Sequence, residues 1–226
     1  MITLAIDTSA RLCAACVYDA AHEAVLGQAI EDIGRGHAER LFPVIDQALG
    51  AASTAYDDIG RLGVCIGPGS FTGVRVGVSA MRGLALALSR PVVGISVFEA
   101  QIPDVPRGRP VLIVQDARRG EVYAQLFDGK GAAVSAPAAM PCEAAADLAR
   151  KHGAFLLGSG ARLVAKAGEG AALEVADHDA KADIVRIARC AAEKQPSEDA
   201  PKPLYLRGAD AKPQTGFALP RQVPAS

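Results

Sequence analysis

Apolar and polar positions at the start of the chain predict three strands, a helix, and then further strands and helices. An apolar run ends at Asp7, a polar turn follows, and a second apolar run ends at Asp19. Apolar residues then occur at every fourth position, at Leu41, Ile45 and Leu49, which predicts one face of a helix from about His37 to Leu49. The remaining elements predicted here are a strand at Arg61–Ile66, a helix at about Thr72–Leu88 and a strand at Pro91–Ile95.

This pattern recurs once, at a constant offset along the chain. Residues 3–19 align with residues 112–128, so that Asp7 matches Asp116 and Asp19 matches Asp128. The repeat predicts two lobes of common ancestry, with two unrelated hairpins as the alternative. The order β-β-β-α-β-α-β resembles the half-unit of actin, Hsp70 and sugar kinases, and the fold name is given by this analogy. The predicted fold class is therefore α/β, an actin-like/Hsp70-like (ASKHA) two-lobe fold built from duplicated β-β-β-α-β-α units.

Proline and glycine near residue 108 divide the chain into predicted segments. We predict an N-terminal actin-like lobe at 1–107 and a C-terminal actin-like lobe at 108–207. Residues 208–226 lack periodicity and are predicted to be a disordered tail. Within the second lobe we predict helices near Cys142–Lys151 and Asp183–Glu193, a strand at Ala154–Leu157, and a short final strand at Leu204–Leu206.

Composition is typical of a folded and soluble protein, with 50% hydrophobic and 22% charged residues. The net charge of −1 disfavours strong unaided binding of nucleic acid, which needs an excess of basic side chains. Asp7 interrupts the first apolar run too early for a signal peptide. The longest apolar stretch, from Val74 to Leu88, contains two arginines, so we expect no membrane span and a cytoplasmic protein.

The five cysteines suggest reduced thiols. Cys13 and Cys16 form a C-x-x-C motif inside a predicted strand, where residues three apart point to opposite faces. Buried thiols are therefore favoured over a metal or redox site.

A glycine-rich loop lies between a predicted strand and a predicted helix. The helix start could receive an anion such as a phosphate, or the glycines could simply let strand and helix pack closely. The loop lacks the lysine of a G-x-x-x-x-G-K-[ST] motif, which favours the structural turn. The candidate anion-binding residues are Gly67, Gly69, Ser70, Thr72 and Gly73.

The helix after this loop is apolar on nearly every side. Only Arg75, Ser79 and Arg82 form a narrow polar stripe. Because its own sheet can pack against only one side, the helix requires a second element to pack against the other side. Two interpretations stay open, a partner helix from this or another chain, or a fully internal helix covered by the Leu41–Ile45 helix.

Several motifs together resemble the TsaB family, also called YeaZ. They are LAIDTS at 4–9, His37 with Leu41, IGPGSFTGVRVG at 66–77, DARRGEVY at 116–123 and PLYLR at 203–207. The resemblance implies a two-lobe actin-like fold and a non-catalytic role. It implies binding to a TsaD-like catalytic subunit together with a TsaE-like ATPase, and a homodimer when alone. That complex transfers a threonylcarbamoyl group to adenosine 37 of tRNAs reading ANN codons, and tRNA is expected to be reached only through it.

The resemblance also places the TsaD contact on the two first-lobe helices. The predicted interface residues in this sequence are His37, Arg40, Leu41, Val44, Ile45, Ala48, Val74, Gly77, Val78, Met81, Leu84 and Ala85.

Catalytic relatives hold a metal with an H-x-x-x-H pair, which here reads His37-x-x-x-Leu41. Since leucine cannot ligate a metal, no metal site is expected. Asp7 and Asp116 are interpreted as a vestigial site, each accepting hydrogen bonds in its own turn. No tightly bound cofactor is expected, although a nucleotide at the interface of the complex stays open.

Two enzyme hypotheses compete with the scaffold. One is an ATP-dependent phosphotransferase that uses Asp7, the glycine loop and Asp116. The other is a peptidase, which is disfavoured because the chain lacks an H-E-x-x-H motif and its histidines show no triad spacing.

Overall fold

The computed structural model describes residues 1–102, 108–168, 172–176 and 183–207, and these form two β-sheets with helices. The first sheet has five strands, which are β1 (Ile2–Asp7), β2 (Leu12–Asp19), β3 (Ala24–Asp32), β4 (Ile59–Gly67) and β5 (Val92–Ser96). Their order in the sheet is β3-β2-β1-β4-β5. The first three strands are antiparallel neighbours, whereas β4 runs parallel to β1 and β5 parallel to β4.

Two long helices, α1 (His37–Ala52) and α2 (Phe71–Leu88), cover one face of this sheet, and the short α3 (Val97–Gln101) follows β5. The periodic apolar residues of both helices and the alternating residues of the strands meet in one core. Completely buried members of that core include Leu4, Ile6, Val44, Ile45, Leu62 and Met81.

The four-stranded second sheet repeats this architecture in the order β8-β7-β6-β9. Again the first three strands are antiparallel neighbours, and the fourth runs parallel to the first. The elements are β6 (Val111–Asp116), β7 (Glu121–Phe127), β8 (Ala138–Pro141), α4 (Cys142–His152), β9 (Phe155–Leu157) and α5 (Ala161–Ala167). The same strand order and directions in both sheets confirm the predicted actin-like fold class with duplicated units.

A last helix, α6 (Ile184–Glu193), returns to the first sheet and packs on the face opposite α1 and α2. Gly63 lies under it, since a Cβ at that position would stand 2.5 Å from the Cβ of Ala191. The Arg61 guanidinium donates to carbonyl oxygens at the end of α6, at 2.6 Å from Ala192 and 2.9 Å from Lys194. A helix from the range predicted as the second lobe thus completes the core of the first sheet.

Residues 201–207, called the strap below, run from the first sheet to the second. The predicted final strand at Leu204–Leu206 is wrong, because these residues form no ladder. A single backbone bond joins the Leu204 N–H to the Ile66 carbonyl at 2.9 Å, and Leu204 and Leu206 pack against the apolar cluster of the second sheet. The strap ends where the Arg207 guanidinium pairs with the Glu121 carboxylate.

The predicted tail at 208–226 lies outside the described residues, as do residues 103–107 next to the predicted lobe boundary. That boundary stays a prediction.

Among the described residues, α2 is the one helix long and apolar enough to cross a membrane by length and composition alone, with a mean hydropathy of 1.2. In this structure Val74, Val78 and Met81 of α2 are buried against the first sheet.

Candidate functional site

Most residues predicted to bind a partner through α1 and α2 are buried in the chain's own core. The prediction is wrong for these residues as direct contacts, because α1 and α2 cover the sheet with the very faces that carry them. The buried members are His37, Leu41, Val44, Ile45, Ala48, Val74, Gly77, Val78 and Met81. The fully internal helix of the other interpretation is also wrong, because Leu86 is 83% exposed and Phe71 is 44% exposed on α2.

Other residues of these two helices remain exposed. Of the predicted interface, Arg40 is exposed and Leu84 and Ala85 are half-buried. The Arg40 side chain is held by two hydrogen bonds to the Glu31 carboxylate, at 2.9 Å and 2.6 Å. We define the open face by the exposed residues that carry its apolar and small surface, which are Phe42, Ser79, Gly83, Leu86 and Ala87.

Leu86 is 83% exposed, and the small residues Gly83 and Ala87 beside it on α2 are exposed as well. Gly83 lies three residues before it, and a Cβ added there would meet no atom within 4 Å. Among the described residues, no contact therefore requires glycine at position 83, although glycine costs about 1 kcal/mol relative to alanine in a helix interior.

The glycine-rich loop after β4 is filled by the turn that follows β1. A Cβ at Gly69 would stand 2.1 Å from the Ser9 carbonyl oxygen, and one at Gly73 would stand 2.0 Å from the Thr8 carbonyl oxygen. Thr8 donates its hydroxyl proton to the Gly73 carbonyl at 2.7 Å, and the Ser70 N–H donates to the Ser9 carbonyl at 2.6 Å. Both glycines are thus explained by the close approach of two backbone segments.

The amides at the start of α2 are also partly engaged. Ser70 caps the helix, because its hydroxyl accepts from the Gly73 N–H at 3.2 Å. Two of the N–H groups that would face an anion, those of Ser70 and Gly73, already have acceptors within the chain. The loop geometry therefore favours the structural turn over a phosphate-binding site. This applies to the candidate residues Gly67, Gly69, Ser70, Thr72 and Gly73.

Asp7 ends β1 in a buried position beside Cys65. One carboxylate oxygen accepts a hydrogen bond from the Ser9 N–H at 2.7 Å, as expected for an aspartate that closes its own turn. Burial raises the pKa of Asp7 above its usual value of 3.8, and the hydrogen bonds from Ser9 oppose that rise. The folded protein therefore holds a proton on Asp7 at pH values where the unfolded chain has lost it.

Replacing Asp7 with asparagine is expected to remove a pH dependence of stability. Because the folded-state pKa is raised, the wild-type loses stability as pH rises from about 3.8 through that pKa. Asn cannot ionise, and its side-chain oxygen can still accept from Ser9. The stability of D7N relative to wild-type, measured by urea unfolding at a series of pH values, should increase with pH. Asp116→Asn makes the same change in the matching turn of the second lobe and serves as the comparison variant. A stability difference between D7N and wild-type that stays constant with pH would contradict the expectation.

The second lobe repeats this turn with different side chains. An Asp116 oxygen accepts from the Arg118 N–H at 2.7 Å, and the Asp116 N–H donates to the Ser159 hydroxyl at 3.1 Å. Gly158 lies against the Val114 carbonyl oxygen, 2.3 Å from an added Cβ, as Gly69 lies against Ser9. Both aspartates therefore have a structural role in their turns. They are contributed by separate sheets, and each is satisfied within its own lobe.

His37 and Leu41, the predicted half of a metal-binding pair, both lie on α1 with buried side chains. A ring nitrogen of His37, Nε2, lies 3.2 Å from the Leu12 carbonyl oxygen, and Leu41 is buried. Among the described residues, no three His, Cys, Asp or Glu side chains are grouped so that they could hold a metal ion.

All five cysteines are free, and Cys13 and Cys16 lie on β2 as predicted. Burial raises the pKa of Cys13 to about 11 and that of Cys16 to about 12. Their thiols therefore stay protonated near neutral pH and are poor metal ligands and nucleophiles.

An arginine–aromatic cluster was missed by sequence analysis. Phe71 and Arg75 on α2 meet Tyr205 on the strap, where the two rings lie 5.3 Å apart. The motifs that carry these residues, GPGSFTGVR and PLYLR, are visible in the sequence. Their contact is not visible there, because the residues are separated by more than half of the chain.

The fold and these turns define an actin-like two-lobe protein. The ethanolamine utilization protein EutJ from Carboxydothermus hydrogenoformans shares this fold, with a TM-score of 0.51 and 11% identity, covering 84% of this chain and 89% of that one. The chain belongs to the family described as TsaD: tRNA N6-adenosine threonylcarbamoyltransferase, whose model matches residues 17–176.

The similarity to TsaB and YeaZ proteins is confirmed. The chain is 35% identical over 126 residues to the tRNA threonylcarbamoyladenosine biosynthesis protein TsaB of Escherichia coli (strain K12), covering 54% of this chain and 53% of that one. It therefore spans about half the length of the curated relatives it matches. The solved structure of YeaZ from Pseudomonas aeruginosa has a TM-score of 0.70 at 27% identity, and it covers 91% of this chain and 99% of that one.

Proposed function

We propose that this chain is a non-catalytic accessory subunit in the biosynthesis of threonylcarbamoyladenosine in tRNA. It docks on a TsaD-like catalytic subunit, acts together with a TsaE-like ATPase, and pairs with a second copy of itself when alone. The proposal rests on the family, on the name carried by the E. coli relative, and on the open face of α1 and α2. Its place of action is the cytoplasm, and it reaches tRNA through the complex.

The observation that carries the docking role is Leu86, which is exposed on α2 beside the exposed small residues Gly83 and Ala87. Exposed leucine beside small residues is typical of a surface that a partner helix covers at close range. Gly83 fits the same role, since its missing side chain leaves open space above the helix. The buried residues of the predicted interface contribute indirectly, because they hold α1 and α2 in place on the sheet.

Two features support a role without catalysis. Leu41 stands where the catalytic relatives place a second histidine, so His37 has no partner for metal binding on its helix. The glycine loop that a phosphotransferase would need is occupied by Thr8 and Ser9, and two of its amides have acceptors within the chain. These contacts favour the scaffold over the ATP-dependent phosphotransferase.

Co-expression of the full chain with the TsaD-like and TsaE-like proteins of the same organism tests the proposal. Native mass measurement should show a homodimer of the chain alone and a complex of one chain with the TsaD-like subunit when both are present. Transfer of threonylcarbamoyl to tRNA should require all three proteins. A chain that ignores the TsaD-like subunit, or that modifies tRNA without it, would show that the proposal is wrong.

A further inference from the structure

Three side chains form an exposed cluster where the strap crosses the start of α2. Phe71 is 44% exposed and Tyr205 is 47% exposed, with their rings tilted by 39°. The Arg75 guanidinium carbon lies 3.8 Å from the Phe71 ring centroid and 5.5 Å from that of Tyr205. Arg75 Nε also donates to the Tyr205 hydroxyl at 2.6 Å. These contacts hold the guanidinium over the Phe71 ring.

Three arginines follow one another along the strap and the turn that it reaches, namely Arg75, Arg207 and Arg118. In the described part of the chain no carboxylate pairs with Arg75, and the acidic residue at the end of the strap, Glu121, is already paired with Arg207. Arg207 also donates to the Ala117 carbonyl at 3.4 Å, next to the exposed Arg118 at the tip of the β6–β7 turn. The strap therefore connects Arg75 on the first lobe to the arginines of the second-lobe turn.

Packing of the strap does not explain the exposure of the two rings. Leu204 and Leu206 already anchor it in the apolar cluster of the second sheet, and the Leu204 N–H bonds to β4. Aromatic rings left half open beside an arginine are typical of surfaces that stack nucleotide bases, because every base has a flat face and an adjacent phosphate.

We propose that Phe71, Arg75 and Tyr205 form a contact site for a nucleotide. A base stacks on the exposed ring surface, and the outward N–H groups of Arg75 donate to the phosphate. If the nucleotide belongs to tRNA, the inference rests on the proposed function. A free nucleotide is the other source of a base with an adjacent phosphate. The net charge of −1 requires that such a contact be local and weak when the chain is alone.

The chain has no tryptophan, so one introduced into the cluster reports on it alone. Tyr205→Trp should show emission that is quenched on adding single-stranded oligoadenylate RNA. The half-saturating concentration should rise with salt. Adding Arg75→Gln should raise that concentration at least about fivefold, because it removes the positive charge that contacts the phosphate. Arg162→Gln, which removes an exposed arginine of α5, should leave it unchanged.

Adenosine monophosphate distinguishes the two sources. Quenching by the monophosphate at the same base concentration as the oligomer assigns the site to a free nucleotide, and quenching by the oligomer alone assigns it to an RNA strand. Phe71→Trp repeats the measurement from the other ring, in case Tyr205→Trp disturbs the strap. Absence of quenching in both variants, with their folds intact by circular dichroism, would overturn the proposal.

The assembled complex separates this inference from the proposed function. Arg75→Gln should still assemble with the TsaD-like subunit by native mass and yet slow tRNA modification at limiting tRNA. Full assembly with wild-type modification at limiting tRNA would overturn the RNA contact while the accessory role stands. Failure of the wild-type chain to assemble would instead contradict the accessory role, whatever the fluorescence shows.

Discussion

Replacing Gly73 with alanine is expected to destabilise the folded chain by about 3 kcal/mol. The new Cβ would stand 2.0 Å from the Thr8 carbonyl oxygen, and a backbone atom cannot swing aside as a flexible side chain would. Overpacking against backbone costs about 3 kcal/mol at the upper end of its usual range. Losing the bond from Thr8 to the Gly73 carbonyl costs about 1 kcal/mol more, and the helix propensity of alanine offsets about 1 kcal/mol.

The matched control for this prediction is Gly83→Ala in the same helix. A Cβ at Gly83 meets nothing within 4 Å, so the isolated chain should gain up to about 1 kcal/mol in stability. Urea unfolding monitored by circular dichroism measures both changes. Equal effects of the two substitutions would contradict the close approach of Thr8 to α2.

Replacing Leu86 with glutamate is expected to weaken pairing through the open face by about 100-fold. If a partner covers Leu86, the substitution buries a carboxylate without a counter-charge, and about 2.7 kcal/mol of that penalty corresponds to two decades in the dissociation constant. Because Leu86 is 83% exposed in the single chain, the substitution should leave the fold intact. Analytical ultracentrifugation of the chain alone, and native mass with the TsaD-like subunit, measure the effect.

Leu163→Glu on α5 is the control, since this leucine is also exposed, at 44%, and lies on the second lobe. It should pair like the wild-type. Met81→Glu would be uninformative about pairing, because Met81 is completely buried and its replacement would unfold the first lobe. Wild-type pairing of Leu86→Glu would show that the partner binds elsewhere.

The repeat predicted much of the fold, because strands and turns can be recognised from apolar runs and turn residues that are neighbours in the sequence. Asp7 and Asp116 end matching strands, and the apolar periodicity of residues 37–49 marked α1 correctly. The predicted strand at Arg61–Ile66 and helix at Thr72–Leu88 differ from the observed β4 and α2 only at their ends. Short elements such as α3 and α5 were missed, since they contain too few residues to show a period.

The sequence by itself determined the duplicated elements, their order and the family. Only the tertiary structure decided which apolar face of α2 the chain covers itself, placing Met81 in the core and leaving Leu86 in solvent. It alone returned α6 to the first sheet and brought Tyr205 onto Arg75. The physical reason is that the periodicity of a helix shows which of its faces are apolar. The elements that pack against such a face are distant in the chain, so only the tertiary structure shows them.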